Sequence, residues 1–405
     1  MEKNDPVGLE LEQAVELLQK HVKPVVRTET LPLEQTLGRR VANTVYAPVA
    51  CPPFDRSPLD GYAVRAQEIA GASQQPVRLP VAGVAYAGAP FAERLPPNTA
   101  VRIMTGARMP AGSDCVVRQE DTDYGEDYVQ IFRPVKAWQN YCFCGEDFLA
   151  GTQLVQAGER LDAVRLGILA SAGLAQLPVL APVKVALLCT GDELAPLGTP
   201  LTSGKIYNSN RYLLQARIRE LGLEAVCLPA CADEAETLAQ ALAQACAQAD
   251  IVLTTGGVSV GTRDKLHEAL ARLGANRLFW RVRMKPGSPL LCAEYQQKLL
   301  LCLSGNPFAA LASFELVVRP VLAALCKDKQ LLLKSCEATL CGSFPKGGGA
   351  RRFVRSFYEN GQVHLQAGNH ASGALLLMAG CNCFVDIPQS SPPLVGGERV
   401  RVVLL

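Results

Sequence analysis

The spacing of apolar residues changes along the chain, and each change marks a new kind of element. From about Leu9 to Val22 they recur at helical spacing. Leu11, Val15, Leu18 and Val22 share one face, and Pro24 ends the helix. From about Ala47 to Leu161 the texture is different. Short runs such as VRLPVAGVAY, AVRIM, CVVRQE and YVQIF alternate with Gly, Pro, Asn and Asp, which predicts a β-rich, loop-rich region. A second helix is predicted from about Asp162 to Gly173. From Pro182 to Lys329 strands and helices alternate. Strands are predicted at Val183–Cys189, Ala225–Leu228, Asp250–Thr255 and Leu299–Leu303. Helices are predicted at Asn210–Leu221, from Asp233 to about Ala249, at Asp264–Leu273 and from Pro307 to Leu325. Gly222 and Gly274 are placed to stop their helices, and Asp233 with Glu236 has the spacing of a capping box. Such alternation predicts a mostly parallel sheet covered by helices. From Leu331 onward the pattern is strand again, as in TLCGSF, RRFVRSFY, QVHLQA and RVRVVLL, so the chain closes on a small β domain.

Composition adds limits. A length of 405 residues with 49% apolar content allows several cores, and 40 basic against 38 acidic residues leaves a net charge of +2. That balance argues against a nucleic-acid or membrane-surface partner. The opening residues are polar with no apolar leader behind them, and the apolar stretch Leu166–Cys189 is interrupted by Gln176, Pro178, Pro182 and Lys184. The 15 cysteines sit mostly singly in apolar runs, with Cys142/Cys144 and Cys381/Cys383 as C-x-C pairs away from the 4 histidines. They read as buried thiols of a cytoplasmic protein rather than as a zinc site.

In an open α/β sheet, ligands bind beyond the carboxyl ends of the strands. Each of four polar segments begins where an apolar strand stops. Thr190-Gly191-Asp192-Glu193-Leu194 turns tightly and offers adjacent acids, which suit either a hard cation or a helix N-terminus. Thr254 to Asp264, TTGGVSVGTRD, is rich in glycine and hydroxyls ahead of a helix, which predicts an anion cradle of backbone N–H groups. Arg281, Arg283 and Lys285 are spaced by two. On a strand they project from one face, with Trp280, Val282 and Met284 on the other, and three like charges call for an anion. Ser304-Gly305-Asn306-Pro307 has Asn at the cap and Pro at the first helical position. Together these predict a phosphorylated substrate and a divalent cation held by Asp192, Glu193, Asp233 and Asp264. The thirteen-residue stretch from Pro53 to Arg65 carries carboxylates, cations, a hydroxyl and a phenol, and reads as a further site loop.

The motifs FDRSPLDGYAVR (54–65), RIMTGA (102–107), GED (145–147), TGDEL (190–194), TTGGVSVGTRD (254–264), MKPGSP (284–289) and SGNP (304–307), in this order, resemble those of the molybdenum insertase family, which holds the bacterial MoeA proteins and the gephyrin E-domain. The resemblance covers essentially the whole chain. It implies an α/β multidomain fold with a central molybdopterin-binding domain over 182–329 and a β-rich domain inserted at 51–145. An extended helical linker domain would be built from 1–50 and 146–181, and a C-terminal β-barrel domain from 330–405. It implies a homodimer whose cleft is shared between subunits. The implied reaction takes adenylyl-molybdopterin and molybdate, inserts molybdenum and releases AMP with Mg²⁺ present. Glu193, Asp233 and Asp264 match the acidic metal and nucleotide positions, and Asp60, Thr105 and Asp147 match functional positions in the other half of the cleft. The substrate-binding set implied is completed by Asn208, Ser209, Gly256, Gly257, Ser259, Gly261, Arg281, Lys285, Ser288, Ser304, Asn306, Pro307 and Arg352.

The chain departs from the family pattern at four positions. The usual K-P-G-K-P has Ser288 for its second lysine, the usual P-G-N-P has Ser304, the arginine of N-x-R-x-x-G-E-D is Cys142, and the lysine often found ahead of the basic strip is Arg281. The losses at Ser288 and Cys142 each remove a cation, worth about 1.5–3 kcal/mol where it made a charge-assisted contact. Arg283, Arg351 and Arg352 are the candidates to replace it. Two other readings compete. One is a non-catalytic molybdopterin-binding or scaffolding protein of the same fold. The other is a nucleotide hydrolase, against which FDRSPLDGYAVR and MTGA speak because they lie outside the α/β module.

Overall fold

The strand Ile251–Thr255 has every residue buried and lies inside a seven-stranded sheet. Its period is hidden in the sequence because helices cover both faces of the sheet. The packing reveals it. Val185, Leu187, Cys189, Ile251, Leu253, Leu299, Leu301 and Leu303 point into one core. Ala186, Leu188, Val252, Leu300 and Cys302 point into another on the opposite face. In this computed structural model, residues 6–258, 265–345, 347, 349–366, 368 and 370–405 are described. They form two compact units, one comprising the chain up to Arg27 together with 181–405, the other Thr28–Leu180.

In the first unit the sheet runs Val7–Leu9, Asn276–Val282, Leu291–Tyr295, Lys298–Leu303, Ile251–Thr255, Lys184–Cys189, Glu224–Cys227. All pairings are parallel except those of Leu291–Tyr295 with its two neighbours. The mostly parallel sheet is therefore as expected. The antiparallel strand Leu291–Tyr295 and the edge strand Val7–Leu9 were not legible. The first helix, Leu11–Lys20, buries Leu11, Ala14 and Leu18 against this unit.

The long helix from Pro307 runs to Cys326 with a π-helical turn at Phe314–Val318. Pro320 lacks the N–H that a regular α turn would use, and the widened turn lies just ahead of it. This is the one helix among the described residues long and apolar enough to cross a membrane. With 83% of its apolar window buried, it serves as the core helix of the sheet domain. Glu315 on it is fully buried and accepts from Arg217 Nε (2.7 Å) and Arg319 Nη1 (2.9 Å). That triad fastens the helix Ser209–Glu220 to the helix from Pro307. Glu315 is the member whose loss costs most, because it would leave Arg319 without a carboxylate and Arg217 with Glu220 alone.

The C-terminal strands close into a barrel, because Arg351–Glu359 pairs both with Gln362–Leu365 and with Cys383–Ile387. Val354, Val385 and Val402 fill it. The second unit holds a five-stranded sheet ordered Cys115–Arg118, Gly61–Val64, Ala100–Ile103, Val77–Ala85, Tyr128–Ile131. Two short antiparallel ladders, Thr28–Pro32 with Gln176–Leu180 and Val45–Tyr46 with Gln153–Val155, accompany the helix Ala163–Ser171.

Two local expectations are corrected. The helix expected from Asp233 begins at Ala235 with Glu234 at its cap, so the Asp233/Glu236 capping box does not form. The basic strip is not one strand. Asn276–Val282 ends in the α/β sheet, Arg281 takes a left-handed φ of 70°, and Met284–Lys285 pairs instead with Arg351–Arg352 of the barrel. The change of sheet breaks the alternation that would have put three cations on one face.

Candidate active site

The carboxyl ends of Lys184–Cys189, Ile251–Thr255 and Lys298–Leu303 open onto a cleft of about 660 Å³. Its floor is made of Thr190, Thr255, Gly256, Gly257 and Ser304. Gly256 is required there. Its φ is +99°, and a Cβ would sit 2.3 Å from the Thr190 carbonyl oxygen. Two helix starts face the same cleft. Asn208 caps the helix Ser209–Glu220 by accepting from the Arg211 N–H (3.1 Å). Asn306 occupies the cap position before Pro307, yet its side chain makes no capping bond. Asn210, also at the cleft, donates from Nδ2 to the Gly305 carbonyl (2.8 Å), locking one helix start to the loop of the other. Small residues, backbone N–H groups and paired helix N-termini suit a phosphate-bearing ligand.

A second cavity of about 380 Å³ adjoins the first, and Pro289, Ser304 and Asn306 line both. Lys285 and Arg352 face each other across one rung of a parallel ladder on its wall. Among the described residues neither has a carboxylate partner, and Arg352 Nε is buried without a hydrogen bond. Ser288 lines the same wall, behind a turn at Gly287 (φ +92°), where a Cβ would meet Ser313 Oγ at 2.4 Å. Two cations and several hydroxyls in a small cavity suit a compact oxyanion.

Of the three candidates to replace the missing lysine, only Arg352 reaches this cavity. Arg283 pairs with Glu10 (3.2 Å), and Arg351 makes two bonds to Asp386 (2.8 and 2.7 Å) and another to Glu12. Arg281 lines neither cavity, and its guanidinium lies 4.4 Å from the centre of the Trp280 ring.

In the second unit, Asp60 Oδ1 accepts from both the N–H (2.7 Å) and the hydroxyl (2.8 Å) of Thr105. Those bonds hold its carboxyl below the usual range. Asp147 is exposed on the neighbouring loop, where its N–H donates to the Cys51 carbonyl. Cys142, standing where the family pattern has arginine, is buried with its thiol on the Glu146 carboxylate. The exposed Arg56 bonds to the same sulfur and supplies a guanidinium at that place.

Three family models match the chain: the MoeA N-terminal region (domain I and II) over residues 9–173, the "Probable molybdopterin binding domain" over 186–324, and the MoeA C-terminal region (domain IV) over 337–405. The molybdopterin molybdenumtransferase of Haemophilus influenzae is 36% identical over 97% of this chain and 98% of its own length. The chain belongs to the molybdopterin molybdenumtransferase family. The protein of the same name from Bacillus subtilis is 36% identical over 95% of this chain and 91% of its own length. A solved MoeA structure from Pyrococcus horikoshii superposes with a TM-score of 0.85 at 31% identity, covering 98% of this chain and 99% of that one.

Of Asp192, Glu193 and Asp233, Glu193 lines the cleft and the other two lie behind it, joined to each other. The Asp233 N–H donates to Asp192 Oδ1 (3.3 Å), and Asp233 Oδ1 is buried without a partner. Burial first, then the charges of Asp192 and Glu193, push the Asp233 carboxyl up. Among the described residues no three acidic, histidine or cysteine side chains converge as metal ligands. Asp264, Ser259 and Gly261 lie outside the described residues. The chemistry of the donors present nevertheless fits a hard divalent cation: carboxylate oxygens, one orphaned, that repel each other until a cation intervenes.

A carboxyl whose folded-state value is raised favours folding while protonated, and that contribution is lost as pH rises through the raised value. Asp233→Asn is therefore expected to raise the melting temperature of the metal-free protein at pH 7 and to leave it nearly unchanged near pH 3. Melting curves of both proteins at both pH values check this; an unchanged or lowered melting temperature at pH 7 would show that the buried carboxyl carries no penalty there.

Sequence reading missed four residues in this family member. Asn210 has the bond just described. Ser372 and His370 line the smaller cavity from a loop far along the chain. Arg355 lies behind that loop, fully buried, donating to the carbonyls of Ala371 (2.8 Å) and Ala374 and stacked 3.9 Å over Phe308. In RRFVRSFY it reads as one cation of an exposed strand. Only its burial among carbonyls and a ring, with no carboxylate bound to it among the described residues, marks it out.

Proposed function

We propose that the protein transfers molybdenum from molybdate to adenylyl-molybdopterin with release of AMP, in a Mg²⁺-dependent reaction, as a cytoplasmic homodimer. The observation that carries this reading is the pair of adjoining cavities on one sheet edge. One is shaped by glycine, hydroxyls and helix starts, and the other is cationic. The larger suits the nucleotide-linked pyrophosphate, which Gly256, Gly257, Asn208 and Ser209 would cradle. The smaller suits molybdate, which Lys285 and Arg352 would hold while Ser288, Ser304 and Ser372 donate hydroxyls. The shared wall of Ser304 and Asn306 would bring the two reactants together, and orientation of this kind removes much of the entropic barrier to a bimolecular step. Glu193 and Asp233, with Asp264, would hold Mg²⁺. When bound, that ion supplies neutralisation of charge on the phosphoryl oxygens. Asp60 and Thr105 belong to the other compact unit and line neither cavity. Their role in the reading is to complete the site of a second subunit.

Purified protein supplied with adenylyl-molybdopterin and Mg²⁺ is expected to release AMP only when molybdate is added. Release at the same rate without molybdate would assign hydrolysis instead, and no release in either case would overturn the transfer reaction. Light scattering at micromolar concentration should give twice the mass of one chain.

A further inference from the structure

The second unit contains a cleft of about 780 Å³ that the proposed reaction does not use. On one side stand the rings of Trp138 and Tyr141, backed by Phe143 outside the lining. Trp138 and Tyr141 meet edge to face at 5.2 Å, and Phe143 lies 5.5 Å from the first and 4.8 Å from the second. The rings form a plate out in water, with Trp138 55% and Phe143 47% exposed, and Phe54 at the cleft is 39% exposed.

Folding gains little from rings left this exposed, and Trp138 also takes a left-handed φ of 65°, a costly conformation for a bulky residue. The loop is nevertheless fixed. The Trp138 N–H donates to the Asp114 carbonyl (2.6 Å), Asn140 Nδ2 to the Val116 carbonyl (2.9 Å), and the Lys136 N–H to Gln139 Oε1 (3.0 Å). The structure thus holds a tryptophan rigidly in solvent, the arrangement that makes aromatic anchors of protein interfaces.

The charge of the lining is also informative. Asp55, Glu93 and Asp114 face the cleft with Arg108 as the one cation among its lining residues. Asp55 accepts from the Tyr141 hydroxyl (2.7 Å) and the Cys144 N–H (2.8 Å), which fix it in place while each oxygen retains a free lone pair. Aromatic grooves bounded by carboxylates fit an extended proline-containing chain, whose rings pack on the plate while a basic side chain reaches the acids. We propose that this cleft docks such a segment of another protein, proline-containing and bearing arginine or lysine.

The test is calorimetric titration of the full chain with a proline-rich decapeptide carrying two arginines, beside the same peptide with glutamates in their place. Saturable one-to-one binding with a dissociation constant on the order of 10–100 µM is expected for the arginine peptide. Trp138→Ala should weaken it by at least ~30-fold and Glu93→Gln by ~5-fold, with AMP release unchanged in both variants. The proposal fails if the arginine peptide shows no saturable binding up to ~1 mM, or if the glutamate peptide binds equally well. It also fails if Trp138→Ala leaves peptide binding intact while halving the mass in solution, because a second copy of the chain would then occupy the cleft. The binding and mass readouts do not depend on turnover, so they decide the docking proposal even if the proposed reaction fails.

Discussion

Replacing Arg355 by alanine is expected to lower kcat/KM for molybdate-dependent AMP release by at least ~100-fold, close to 3 kcal/mol of transition-state stabilisation. The guanidinium is fully buried and burial pulls its pKa down from the usual arginine value, yet arginine stays charged at any working pH. Among the described residues no carboxylate is bound to it. Its positive charge acts in a poorly screened interior beside Phe308, which lines the smaller cavity. Its two bonds to the carbonyls of Ala371 and Ala374 hold the loop that brings Ser372 to one cavity and Gly373 to the other. The Ser372 carbonyl in turn accepts from the N–H groups of Phe308 and Ala309. Arg355→Lys keeps the charge and loses the two-pronged fork, so it should recover part of the molybdate KM but not full kcat. Melting curves separate a general loss of fold from this effect. Wild-type kinetics in a well-folded Arg355→Ala protein would show that the loop positions itself without the arginine.

Replacing Gly256 by alanine should cost about 3 kcal/mol of stability and remove binding of AMP. A Cβ there meets the Thr190 carbonyl oxygen at 2.3 Å and Thr190 Oγ1 at 2.8 Å, and the backbone sits at φ +99°. The floor of the larger cleft would have to spread, separating Thr190 from the strand end whose Thr255 carbonyl accepts its N–H (2.9 Å). Gly167→Ala is the matching control. Gly167 lies in the helix Ala163–Ser171, and a Cβ on it would have open space with nothing within 4 Å, so alanine there should stabilise by about 0.5–1 kcal/mol. Denaturant midpoints and AMP titrations distinguish the two, and equal midpoints for both variants would refute the steric account.

Much of this protein is determined by local sequence. The run Ile251–Thr255 is short, apolar and followed by two glycines, which favours a buried strand ending in a turn, so the site edge follows largely from consecutive residues. Pro307 behind Asn306 carries a local preference for a helix start, and a helix does begin there. The family membership follows likewise from motifs that each lie within a dozen residues. What the sequence left undecided depends on partners distant in the chain. Arg281, Arg283 and Lys285 look equivalent, yet a change of sheet after Val282 sends Lys285 to the barrel, Arg283 to Glu10 and Arg281 onto Trp280. Arg351, Arg352 and Arg355 look equally alike, yet closure of the barrel gives the first to Asp386, the second to the smaller cavity and the third to a buried loop. A charge's role depends on what faces it and how much water it keeps, and only the tertiary structure decides both.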